Sequence, residues 1–185
     1  MKFLKYIILI YILCSLTACG FKLYSKEAIP PQLHTIYLQS NNPYGSLETS
    51  LKQTLTTQGI HFTDSAKHVP IILNISDTNF THDNSNTVSS SQATVYNFTY
   101  DVTFNLLDAH GKEIIKPQTV SATRTLTLNP NEVLDANPEV DTMKQEMERE
   151  LIFKITNRLN SKNTKQAFIT SHETIPRTTK TTSQK

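Results

Sequence analysis

Three stretches of this sequence predict an α+β fold, a two-layer sandwich with two helices packed on one face of a four-stranded, mostly antiparallel sheet in the order βαβββα. Tyr96, Phe98, Tyr100, Val102, Phe104 and Leu106 alternate with Asn97, Thr99, Asp101, Thr103 and Asn105. A period of two sustained over that length belongs to a strand that is dry on one face and wet on the other. Residues 113 to 128 repeat the pattern, with Val120, Ala122, Leu126 and Leu128 opposite Thr119, Ser121, Thr123, Thr125 and Thr127, and Asp108-Ala109-His110-Gly111 between the two runs reads as a turn. Further on, Val140, Met143, Met147, Leu151, Ile155 and Leu159 recur at intervals of three and four, the stripe of a helix lying on that sheet.

The other elements follow in chain order. Residues 19 to 32, with Pro30-Pro31, read as an extended tether, and residues 33 to 39 carry Ile36, Tyr37 and Leu38 in a strand-like run. A helix is expected next, with Asn42 as cap, Pro43 in first position, Leu47, Leu51 and Leu55 on one face and Gly59 closing it. Ile71, Leu73 and Ile75 share a face of a strand spanning residues 69 to 80. Residues 81 to 92 hold serine, asparagine and threonine without apolar periodicity and read as a long polar loop. The last helix opens with Asn137 as cap and Pro138 as first residue. Glu139 and Asp141 at its start and Lys154, Arg158 and Lys162 near its end suit the helix dipole. Its methionines are core filling. Arg124 falls on the dry face of its strand, which leaves three readings: a bulge shifts the register, the side chain snorkels to an edge, or a buried arginine waits for an anion.

The extreme N-terminus is a different kind of sequence. Lys2 and Lys5 precede an eleven-residue apolar run, residues 6 to 16, too short to cross a bilayer as a helix and followed by the small residues Thr17-Ala18. Residues 1 to 18 therefore read as a signal peptide, removed before Cys19. Leu16-Thr17-Ala18-Cys19 resembles the bacterial lipobox, in which the cysteine thiol receives a diacylglyceryl group and the freed amine a further acyl chain. One acyl chain binds membranes only marginally, whereas several on one cysteine anchor a protein stably. Cys14 lies in the discarded segment and Cys19 is consumed by the thioether, so the mature chain has no disulfide, thiol nucleophile or cysteine metal site. Gly20 follows the lipidated position in place of an aspartate, which by resemblance to enterobacterial sorting points to the outer membrane.

Removing the signal leaves enough chain for one domain with a real core, expected over residues 33 to 160. Between Cys19 and Asn160 there are 11 basic and 15 acidic residues, a balance of −4. Residues 161 to 185 hold Lys162, Lys165, Arg177, Lys180 and Lys185 against Glu173, with little apolar content after Phe168 and Ile169, and read as a disordered basic tail. No GxSxG, HExxH, P-loop or dinucleotide fingerprint is present. The six histidines are scattered, and four glycines offer no phosphate-cradling loop. The expectation is of a protein that is not an enzyme, with no metal, no cofactor and no nucleic-acid partner.

Several short motifs occur in a telling order: Cys19-Gly20-Phe21-Lys22-Leu23 after the lipobox, Asn42-Pro43 before a helix ending in Gln58-Gly59-Ile60, and Leu128-Asn129-Pro130 before the terminal helix. Together with the βαβββα plan, these resemble the LptE family of lipopolysaccharide-assembly lipoproteins, over about residues 1 to 160. The resemblance implies an outer-membrane lipoprotein that plugs the lumen of the LptD β-barrel, assists that barrel's assembly and supports delivery of lipopolysaccharide to the outer leaflet. It also implies lipopolysaccharide contacts through basic residues between the second and third strands and just before the last helix. Those places here read Ser89-Ser90-Ser91 and Ala136. The expected phosphate chemistry therefore moves to Lys112, Lys116, Arg124 or the basic tail. The rival reading is a free periplasm-facing lipoprotein, a pilotin or structural binding module.

Overall fold

The alternating run becomes one of three long strands in a five-stranded sheet. A computed structural model describes residues 29–173 apart from His68, 88–93, 129–133 and 135–136. In chain order the elements are β1 (Thr35–Ser40), α1 (Ser46–Thr57), β2 (His61–Thr63), β3 (Ile71–Thr87), β4 (Thr94–Asp108), β5 (Glu113–Leu128), α2 (Pro138–Leu159) and α3 (Lys162–Glu173). The strands lie side by side in the order β2-β1-β3-β4-β5. β1 runs parallel to both its neighbours, and the β3–β4–β5 meander is antiparallel. The α+β class holds, with a mixed sheet of five strands in place of four and three helices in place of two.

Each departure from the expected plan has a local cause. β2 is three residues long, too short to show a period, and exists because the turn after α1 returns the chain beside β1. β3 continues through the stretch read as a loop, up to Thr87. A register shift between Ile75 and Asp77 swaps the parity of the strand: Ile71, Leu73 and Ile75 face the helices before it, and Thr78, Phe80 and His82 stand on that face after it. An extra residue hides the period that sequence reading looks for. The terminal stretch read as disordered contains α3, joined to the body by Phe168, which is 1% exposed, and by the Thr164 hydroxyl donating to the Arg158 carbonyl at 2.6 Å. The core also reaches back beyond the expected start at residue 33, since Ile29 is buried in it. The signal peptide, Cys19 and residues 174–185 lie outside the described residues.

The caps position α1 and α2. α2 starts as expected, with the Asn137 side chain accepting from the Glu139 amide at 2.8 Å and Pro138 in the first turn. α1 starts four residues after Asn42, its N-cap being Gly45. Backbone conformation there is ordinary, and a methyl group at that position would push aside the ends of the Glu48 and Asn42 side chains. At the other end Gly59 takes φ +97°. Its amide bonds the Thr56 carbonyl and that of Ile60 reaches Leu55, a Schellman motif that brings apolar Ile60 onto Leu55. The stripe of α2 is buried as expected, with Met147, Leu151 and Ile155 at 0% exposure against the β4–β5 face.

Candidate functional site

The register of β3, β4 and β5 turns their outward residues into a grid. Four rows cross the three strands: Asp77–Thr103–Thr119, Asn79–Asp101–Ser121, Thr81–Thr99–Thr123 and Asp83–Asn97–Thr125. All twelve side chains are short and polar. Asp77, Asp83 and Asp101 are the only charged ones, so the face is faintly acidic. Cross-strand hydrogen bonds stiffen it: Thr103 and Thr119 hydroxyls at 2.8 Å, the Thr125 hydroxyl donating to Asn97 Oδ1 at 2.9 Å and, one step nearer the start of β3, Asn74 donating to Asn105 Oδ1 at 2.9 Å. Short, held side chains lose little rotamer freedom when a second surface covers them. This grid is the wet side that the alternation predicted.

The three basic candidates do not converge. Lys112 closes the β4–β5 turn, where Asp108 Oδ1 accepts from the amides of His110 and Lys112 at 2.8 and 2.9 Å. Burial pushes the Asp108 carboxyl up, and those two amides, with the charges of His110 and Lys112, reverse this and leave it below its ordinary value. Lys116 is exposed near the start of β5. Arg124 lies eight residues further along β5, roughly 26 Å away at strand spacing. It points to the helix side and reaches the sheet edge, where Nη1 donates to the Thr123 carbonyl at 2.9 Å and Nη2 pairs with Glu150 at 2.6 Å. Of the three readings of Arg124, the snorkelling side chain is the one observed; the register shifts in β5 fall between Ile115 and Gln118 and before Ile115.

Glu150 is the group that sequence reading missed. Its carboxylate takes Lys154 at 2.7 Å as well as Arg124, while Lys154 also donates to the Ser121 carbonyl at 2.5 Å. The hydrogen bonds from Lys154 and then Arg124 hold its carboxyl below the ordinary range against a smaller opposing effect of burial. Lys154 and Arg124 thus occupy two outward carbonyls of the edge strand β5. The i,i+4 spacing of Glu150 and Lys154 was legible, but the edge they guard was not. Among the described residues no group of three or more His, Cys, Asp or Glu side chains is placed to hold a metal, and no helix is long and apolar enough to cross a membrane. His82 stands against aromatic rings, 5.9 Å from Tyr96 and 5.7 Å from Phe98 between centroids.

The α+β fold, with helices layered on one side of the sheet, is shared with solved structures of bacterial lipoproteins. The solution structure of uncharacterized lipoprotein B from Nitrosomonas europaea superposes with a TM-score of 0.62 at 19% identity, covering 83% of this chain and 96% of that one. The crystal structure of rare lipoprotein B from Shewanella oneidensis gives 0.57 at 17% identity, covering 75% and 98%. The family model described as LptE, lipopolysaccharide-assembly, matches residues 33–159, and the chain belongs to that family. The LPS-assembly lipoprotein LptE of Pectobacterium atrosepticum is 27% identical over 142 residues, 76% of either chain. That of Yersinia pestis strain Pestoides F is 31% identical over 140 residues, 70% of this chain and 62% of its own length, so the chain spans about six-tenths of the Yersinia relative.

Proposed function

We propose that this lipoprotein is held in the outer membrane by acyl chains on Cys19 and plugs the lumen of the LptD β-barrel, where it helps that barrel assemble and supports delivery of lipopolysaccharide to the outer leaflet. The four-row polar grid carries the reading. A barrel lumen is lined by polar groups, and a stiff face of threonine, serine and asparagine meets such a wall through hydrogen bonds, without the apolar patch of an obligate interface. Enclosure also covers the β5 edge beyond the carbonyls that Arg124 and Lys154 occupy. Gly20 after Cys19, in place of aspartate, supports the outer membrane. Lys112 and Lys116 are the proposed contacts for lipopolysaccharide phosphates, while Arg124 is already committed to Glu150. No catalytic step is assigned.

The test is a mild-detergent pull-down of the tagged chain from outer membranes, repeated with Cys19→Ala. A large β-barrel recovered in near-equal amount supports the plug, and its partial retention without lipid assigns the contact to the folded domain. Well-solubilised membranes that yield no barrel overturn the plug and leave the free-standing lipoprotein in its place.

A further inference from the structure

On the helix side of the sheet, where the first turn of α1 faces the middle of α2, a cleft of about 240 Å³ opens between Ser46, Glu48, Thr78, Phe80, Tyr100, Lys144 and Glu148. Glu48 and Glu148 are 3% and 5% exposed, yet both line it. One oxygen of each is held by a serine: Ser40 donates to Glu48 Oε1 at 2.6 Å and Ser46 to Glu148 Oε1 at 2.8 Å. The other oxygen of each has no hydrogen-bond partner among the described residues, and neither carboxylate is within ion-pair distance of a described lysine or arginine. Two carboxylates sharing one cleft with no cation at ion-pair distance attract a cation, and one that fills the cleft pairs with both. The remaining wall suits a cation as well: the rings of Phe80 and Tyr100 stand 5.4 Å apart at 66°. Burial, then the charges of Glu148 and Glu48, push the Tyr100 phenol up to about 12.

We propose that this cleft is a receptor for the guanidinium of one arginine side chain on a partner polypeptide. A guanidinium offers a planar face to Phe80 and Tyr100 and, at its edge, donors for both free carboxylate oxygens at once. An ammonium is a compact, strongly hydrated point charge that serves one of these needs at a time. Lys144 shows what the rings already attract: its Nζ lies 5.2 Å from the Phe80 centroid and 6.0 Å from that of Tyr100. It leaves the carboxylates unpaired and is the resident cation that an incoming arginine displaces. Buried, desolvated arginine anchors of this kind concentrate binding energy at interfaces. The inference does not depend on the barrel reading, because it follows from the cleft alone.

The experiment is an NMR titration of the full lipidated chain in detergent micelles, following the Phe80 and Tyr100 ring resonances. N-acetyl-arginine amide is expected to give saturable shifts with a Kd of roughly millimolar order, ordinary for so small a ligand. The expected losses for Glu48→Gln and Glu148→Gln are at least about tenfold each, and Lys144→Met, which removes the like charge, is expected to tighten binding. A thermal melt of each variant separates lost binding from lost folding, and Lys144→Met reads the cleft even if a carboxylate variant fails to fold. The proposal is overturned if the arginine probe does not saturate, if neutral N-acetyl-glutamine amide gives the same shifts, or if folded Glu→Gln variants bind unchanged. Tighter binding of N-acetyl-lysine amide or of glucosamine overturns the choice of guanidinium. Barrel recovery in the pull-down is a separate readout, so failure of one claim leaves the other standing.

Discussion

Phe98, Val102, Phe104 and Leu106 on the helix side of β4 are at most 1% exposed, whereas their immediate neighbours Asn97, Thr99, Asp101 and Thr103 form the centre of the polar grid. The two sets share a backbone, a strand twist and a sequence interval, and differ only in parity. One set builds the core, and the other is the face proposed to meet the barrel. Changes on one side should therefore read out in denaturation, and changes on the other in association.

The largest expected effect is Phe98→Ala, which removes a ring buried between Phe80, His82 and Tyr96 and should cost about 3–5 kcal/mol in urea unfolding. A loss below about 1 kcal/mol would show that the dry face is not the core. Next comes Asn137→Ala, which strips the cap from the Glu139 amide and should cost about 1 kcal/mol by the same measurement. On the open side, the pair Thr99→Lys and Thr123→Lys sets two like charges opposite each other and should cost about 1 kcal/mol, far less than Phe98→Ala, yet abolish recovery of the barrel from membranes. Normal recovery would remove the grid from the interface.

The smallest effect concerns pH. Glu150 and Asp108 both titrate below their ordinary values in the folded chain. A depressed carboxyl stabilises the fold above its unfolded pKa, and that contribution is lost as pH falls through the folded pKa. Stability should thus decline on acidification below the ordinary carboxylate range. Glu150→Gln should flatten the decline while leaving neutral-pH stability within about 1 kcal/mol, because the pairs are partly solvated. A melting series from pH 7 downward checks this, and an unchanged slope in Glu150→Gln would show that the Arg124–Glu150–Lys154 contacts carry no linkage.

The parity of β4 and β5, the α2 stripe and the Asn137 cap were legible because each repeats a local rule over many residues or places a cap beside its helix. The parity switch at Ser76 was not, because one added residue in β3 inverts the pattern, and the strand beyond Phe80 reads as a polar loop. α3 escaped because Phe168 and Ala167 are the apolar side chains that its described residues pack on the core, too few points for a period. Of the candidate site, the threonine-rich face was readable from alternation alone. The edge clamp at Glu150 and the cleft between α1 and α2 join residues 26 and 102 positions apart in the chain, and no local rule reaches that far.

The position of β1 has a mechanical consequence. The chain enters the domain from the anchor side and becomes an interior strand, flanked by β2 and β3 in parallel register over three and five residue pairs. A pull from the anchor side must first draw Ile29 and Leu33 out of the core, and the strand behind them is held on both flanks. A tethered domain built this way resists being drawn apart by its own leash.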